Sequence, residues 1–180
     1  MSSLDNFDTP ASAGASAGAA PGQAANDGAN DAEIEALNLA PTARAAAYAL
    51  KRAHPAVKFT SGRRDKAAQA HAMAGNVVSN REWITETYKA SPLCQQCQDW
   101  VHHHPGASSQ ALIAQGLLSV FDTASDADLA SFSRHLAGMA FDVQPVQPDT
   151  GQIMKTIEQL AGLRLFLEKE GGLVRWHAEF

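Results

Sequence analysis

Three side chains toward the end of the sequence, His135, Asp142 and His177, form the mixed nitrogen and oxygen set that suits zinc with its fourth position open. An open position lets zinc lower the pKa of a bound water toward neutrality, which makes a hydrolytic nucleophile. His135 and Asp142 lie in the run Ser133-Arg134-His135-Leu136-Ala137-Gly138-Met139-Ala140-Phe141-Asp142, and His177 follows Arg175-Trp176. Their spacing is too long for neighbours on one helix face and fits a loop that enters a strand. His177 completes the set if its own strand pairs with that one. Gly138 and Ala140 leave room for close backbone approach between them. The same three residues would also serve as a buried, hydrogen-bonded cluster without a metal.

The elements that must position these groups are readable in outline. Residues 1–31 are Ala, Gly, Ser, Asn and Asp with few large apolar side chains, which predicts a disordered tail ahead of a domain spanning 32–180. Pro41-Thr42 opens a helix that His54-Pro55 must end. Val57-Lys58-Phe59-Thr60 alternates as a short strand, and Ser61-Gly62-Arg63-Arg64 turns out of it. A largely helical stretch runs from Asp65 to about Leu118, with breaks expected near Gly75, Ser91-Pro92 and Pro105-Gly106. Asp126-Ala127-Asp128 caps a short helix leading to Ser133, and Ala140 to Val146 reads as a strand. Asp149 or Thr150 caps a long helix with Ile153, Ile157, Leu160, Leu163, Leu165 and Phe166 on or near its apolar side, stopped by Gly171-Gly172. Leu173 to Phe180 is a last strand. The sum is an α+β fold: a small antiparallel sheet of sequence-distant strands carries the zinc site and packs against several helices.

Composition narrows the function. The chain has 180 residues and a formal net charge of -5, with no basic stripe to displace counterions from phosphate, so nucleic acid is not an expected partner. No apolar run approaches the roughly 20 residues of a membrane span. The N-terminus lacks a basic region followed by an apolar stretch, so synthesis in the cytoplasm without a signal peptide is expected.

The pattern Ser133-x-His135-x-x-Gly138-x-Ala140-x-Asp142, with Ser61-Gly62-Arg63-Arg64 upstream and Trp176-His177 near the end, resembles the zinc D-Ala-D-Ala carboxypeptidase family. That family includes vancomycin-resistance D,D-peptidases and phage endolysins, and its fold is shared with the hedgehog signalling domain. The resemblance runs from about Thr42 to Phe180, with Arg63 standing where the family carries tyrosine. It implies His135, Asp142 and His177 as zinc ligands. It implies that Arg64 binds a substrate carbonyl or carboxylate, and that Ser61, Ser133 and Trp176 lie at the substrate. The implied activity is hydrolysis of a peptide bond in peptidoglycan, as a D,D-carboxypeptidase or endopeptidase. The expected setting is the bacterial cell wall or periplasm, reached after lysis or by dedicated export, with a holin, secretion machinery or an immunity protein as partners of a monomer.

The family pattern breaks at one place. Relatives usually carry a general-base carboxylate three residues before the last zinc histidine, and here that residue is Val174. Glu170, beside Gly171-Gly172, and Glu179, on the strand face of His177, are the substitutes, with Arg175 as an auxiliary electrostatic group. A non-catalytic zinc module that binds cell-wall peptide is the alternative. Cys94-Gln95-Gln96-Cys97, close to His102-His103-His104, offers a further reading as a structural zinc knuckle or redox pair. The plainer reading is two helix residues one turn apart beside a surface histidine cluster.

Overall fold

The sheet is built from segments in which apolar side chains alternate with polar ones. The computed structural model describes residues 31–170 and 173–180. Its strands are β1 (Phe59–Ser61), β2 (Ala140–Val143), β3 (Leu165–Glu170) and β4 (Leu173–Glu179), all antiparallel and ordered β1-β2-β4-β3. Phe141 and Val143 on β2, and Trp176 and Ala178 on β4, turn one face into a core. That core is covered by α1 (Ala32–Ala36), α2 (Pro41–Ala53) and α8 (Thr150–Glu158) through Ile34, Leu50, Ile153 and Ile157. Ala43, Ala46 and Ala47 are buried along α2, so its backbone can lie close to the sheet.

A second core is helical. It is formed by α3 (Lys66–Ser79), α4 (Trp83–Thr87), α5 (Pro92–His103), α6 (Gln110–Thr123) and α7 (Asp126–Phe132), around Met73, Val77, Val101, Leu117 and Phe121. Side-chain caps start four of these helices, from Asp65, Ser91, Ser109 and Ser125. The α+β architecture is as expected, with eight helices among the described residues. None of those helices is long and apolar enough to cross a membrane.

Two local expectations are corrected. Gly75 does not break its helix: α3 runs through it to Ser79, because one glycine costs only about 1 kcal/mol in a helix interior that packing supports. The long helix expected to run to Gly171-Gly172 stops at Glu158, Gly162 adopts φ +83°, and Leu165–Glu170 is a strand. Leu163, Leu165 and Phe166 fit helical spacing, but pairing with β4 in a hairpin satisfies the backbone there instead. The sheet thus contains one sequence-adjacent pair as well as the distant ones.

Candidate metal centre

The strand register brings two of the three donors together. Asp142 on central β2 stands directly opposite His177 on β4, and opposite Ser61 on β1. His135 comes from the turn after α7, held by hydrogen bonds from Gly138 N to His135 O and from Met139 N to Arg134 O. Gly138 is required there: its φ is +70°, and a Cβ would lie 2.6 Å from the Arg63 guanidinium. Arg64 N donates to His135 O at 3.1 Å and ties the two loops.

Hydrogen bonds on the far side of each ring aim the donors. His135 Nδ1 lies 2.7 Å from the Gly62 carbonyl oxygen, which only accepts, so in the neutral ring Nδ1 carries the proton and Nε2 presents a lone pair. His177 Nε2 lies 3.2 Å from Glu179 Oε1, which leaves Nδ1 with the lone pair in the same way. His177 Nδ1 is 2.8 Å from Asp142 Oδ1, while His135 Nε2 is 3.3 Å from both His177 Nδ1 and Asp142 Oδ1. With metal–ligand bonds of 2.0–2.1 Å, the donors of a tetrahedral nitrogen and oxygen site stand about 3.3 Å apart. The triangle has that size.

These groups are out of water, with His135, Asp142 and His177 exposed by 2%, 0% and 4%. Three lone pairs facing one buried point repel unless a cation or proton lies between them. The three residues therefore lie close enough to hold a metal ion, and they are the only such group of three among the described residues.

Charge is arranged to keep Asp142 ionised. Burial by itself pushes its carboxyl up, but when no ion lies between them and the two rings are protonated, hydrogen bonds from His135 and His177, with their charge, outweigh burial and hold it well below the usual carboxylate range. The hydrogen bond from His177 likewise holds Glu179 low against its partial burial, helped by the charge of Arg134. Arg64 Nη2 donates to Asp142 Oδ2 at 2.8 Å, its Nε to Ser61 Oγ at 2.9 Å and its Nη1 to Gln69 Oε1 at 3.4 Å. Gln69 Nε2 in turn donates to Tyr88 Oη at 2.8 Å.

Two cavities flank the carboxylate of Asp142. On the Oδ1 side a groove of about 680 Å³ is walled by Ser133, His135, His177, Glu179, Leu165 and Leu167. On the Oδ2 side a cavity of about 300 Å³ is lined by Arg64, Arg175, Asn76, Trp83 and Tyr88. Tyr88 borders both.

The chain matches no family model, no curated protein and no solved structure. The functional reading accordingly rests on the motifs and on the geometry.

The other expected site residues fall in different places. Arg175 is on the ligand face of β4, with Nη1 3.9 Å from Asp142 Oδ2. Val174 is 63% exposed and pairs with Lys169, beyond an irregularity in the β3–β4 register that separates it from the Leu167–His177 pair. Trp176, expected at the substrate, is buried in the sheet core on the face away from His177, so it is a packing residue. Ser133 lines the groove, while Ser61 holds Arg64. Glu179 sits against the ring nitrogen of His177 that faces away from the donor triangle. The side chain of Glu170 lies outside the described residues. Its strand position is three residues along β3 from Leu167, which stands opposite His177, about 10 Å by strand rise.

Cys94 and Cys97 are buried thiols in α5, and His102 and His104 are engaged outside with Glu82, Gln98 and the Trp100 ring. Cysteines and histidines do not converge on one point among the described residues, which favours the plainer reading of that segment. Sequence inspection missed Gln69 and Tyr88. A polar residue on the buried side of α3, five positions after Arg64, was the available signal for Gln69.

Proposed function

We propose that this protein is a zinc-dependent peptidase that cleaves a peptide bond in bacterial peptidoglycan, as a carboxypeptidase or endopeptidase. The observation that carries the reading is the donor triangle of 2.8, 3.3 and 3.3 Å, whose two histidines line a groove of about 680 Å³. The motif resemblance supplies the substrate class. When bound, zinc supplies an activated water and a Lewis acid for the scissile carbonyl.

The chain's own residues prepare that chemistry. Gly62 and Glu179 fix the tautomers of His135 and His177, and Arg64 holds Asp142 charged and oriented. Arg64 is thereby a positioning residue for the ligand carboxylate. Arg175, 41% exposed and on the ligand face, is the cation placed to meet charge on the substrate. Leu165 and Leu167 give the groove an apolar wall against which an extended peptide can lie.

A second reading, a zinc module that binds cell-wall peptide without cutting it, is favoured by one observation. Among the described residues Glu179 is the single carboxylate that lines the groove, and it stands behind His177 rather than at the donor triangle. Mass spectrometry of muropeptides, released from purified peptidoglycan with zinc and with chelator, separates the two readings. Chelator-sensitive release that His135→Ala abolishes is the expected result. Full zinc loading with peptidoglycan binding and no release would establish the second reading. Failure of the purified protein to take up zinc at all would sink both.

A further inference from the structure

The two edges of the sheet differ. At one end β1 is three residues long, and Phe59 N already donates to Glu33 Oε1 at 3.1 Å. At the other end β3 is six residues long and has no strand neighbour on its outer side among the described residues. An edge strand of that length presents a row of unpaired N–H and C=O groups, a template for another strand. Leu165 and Leu167 are 41% and 36% exposed on it, opposite Glu179 and His177. Native sheets often blunt an edge with a bulge. The irregularity here sets Arg175 and Trp176 of β4 against Glu168 alone, so the extra residue belongs to β4 and the outer strand stays regular.

The sequence along this edge says what fits it. Arg164-Leu165-Phe166-Leu167-Glu168 carries an exposed cation at one end and an exposed anion at the other. A second copy running antiparallel about Phe166 sets Leu165 against Leu167 and Arg164 against Glu168, each pair occurring twice. Centring the pairing on Leu167 instead sets Leu165 against Lys169 and Phe166 against Glu168. Centring it on Leu165 sets Arg164 against Phe166. The register about Phe166 alone matches apolar with apolar and cation with anion, which is what directly opposite residues on paired strands require. A twofold axis through it keeps like faces together, so the two grooves open on the same side of the joined sheet.

We infer that β3 is the contact edge of a twofold dimer, in which two copies pair antiparallel about Phe166 into one continuous sheet. Leu165 and Leu167 of both copies then form a single apolar stripe, and the second copy extends the leucine wall of each groove. A contact confined to residues 164–168 is far smaller than the roughly 20–30 residues a side of a standard interface, so the dimer is weak and forms at micromolar concentration. The expected monomer is then the dilute species. The inference stands apart from the peptidase reading, since it needs neither zinc nor hydrolysis.

Sedimentation velocity of the full-length protein, from low to high micromolar concentration, tests it. The wild type should show monomer and dimer in exchange, with an average mass that rises with concentration. Arg164→Glu puts like charges opposite one another at both ionic pairs, and so does Glu168→Arg. Each should weaken the dimer about 10-fold, with circular dichroism unchanged because both side chains are exposed. Mixing the two variants in equal amounts should recover association, because the variant with acids at both positions then meets the one with bases at both. A wild type that stays monomeric throughout overturns the inference. So does a dimer that neither variant weakens, or one that chelator dissolves and the variants leave intact, since metal bridging would account for it. Weakened variants that mixing fails to rescue overturn it as well, because the residues facing across the axis would not be these.

Discussion

Replacing Glu179 isolates the part of the metal centre that the ligands alone do not explain. Its Oε1 accepts from His177 Nε2 at 3.2 Å, and its side chain is 26% exposed, so the bond is only partly screened by water. A carboxylate on the far nitrogen of a metal-ligating histidine fixes the ring and raises its basicity, and losing such a partner costs about 10- to 100-fold in metal affinity. Glu179→Ala should therefore weaken zinc binding by that factor, or about 1.4–2.8 kcal/mol. Glu179→Gln keeps an acceptor oxygen in place but removes its charge, and a neutral hydrogen bond is roughly half as strong as a charge-assisted one. A loss of about 1 kcal/mol, or about fivefold in affinity, follows for the glutamine variant. Competition against a chromophoric chelator at neutral pH measures both values, with circular dichroism as the check on folding. Well-folded variants that both bind zinc within twofold of the wild type would refute the idea that Glu179 orients His177. Equal, large losses in Ala and Gln would show that charge, rather than ring placement, is what matters.

Other expectations follow from the loops and the cores. Gly62→Ala sets a Cβ 2.4 Å from the Leu37 carbonyl oxygen, a clash with backbone rather than a flexible side-chain tip. It should cost about 1–3 kcal/mol in urea unfolding and weaken zinc binding as well, because the Gly62 carbonyl orients His135. Burial pushes Cys97 up to about 12 and raises Cys94, so neither thiol should react with a chromogenic disulfide near neutral pH until denaturant is added. Rapid labelling of folded protein would contradict their place in the helical core. Asp142 and Glu179 are held below ordinary carboxyl values, so the unfolded chain takes up protons that the folded chain refuses. Their stabilising contribution is complete above a pH of about 5 and is lost progressively as the pH falls further. The urea midpoint should drop across that window, and less steeply in Glu179→Gln.

What the sequence made legible was set by side-chain chemistry, and what it hid was backbone. His135, Asp142 and His177 could be grouped because only a few residue types ligate metal, and the pairing of their strands was implied by short alternating segments. The group that fixes His135 could not be read, since Gly62 contributes a carbonyl oxygen that every residue possesses. Arg64 was legible as an important cation, yet its ties to Ser61, Asp142 and Gln69 depend on where three segments meet. The segment Leu165 to Glu170 was misread because its apolar residues satisfy helical spacing, and only a hairpin partner reveals the strand. Val174 was recognised as an inert replacement. That an irregularity in the strand register separates it from His177 could be seen only once β3 and β4 were paired.

The three donors do not arise from one part of the molecule. Asp142 and His177 belong to the sheet, whose other face is the first core, whereas His135 hangs from the turn that ends α7 in the helical core. An ion bound among them would be a rivet between two separately packed halves, so its removal should be felt as loosening between them more than as melting within either. Chelation would then raise amide exchange first in residues 133–139 and 61–64, where the halves are laced together, and later in the interiors of α6 and β4.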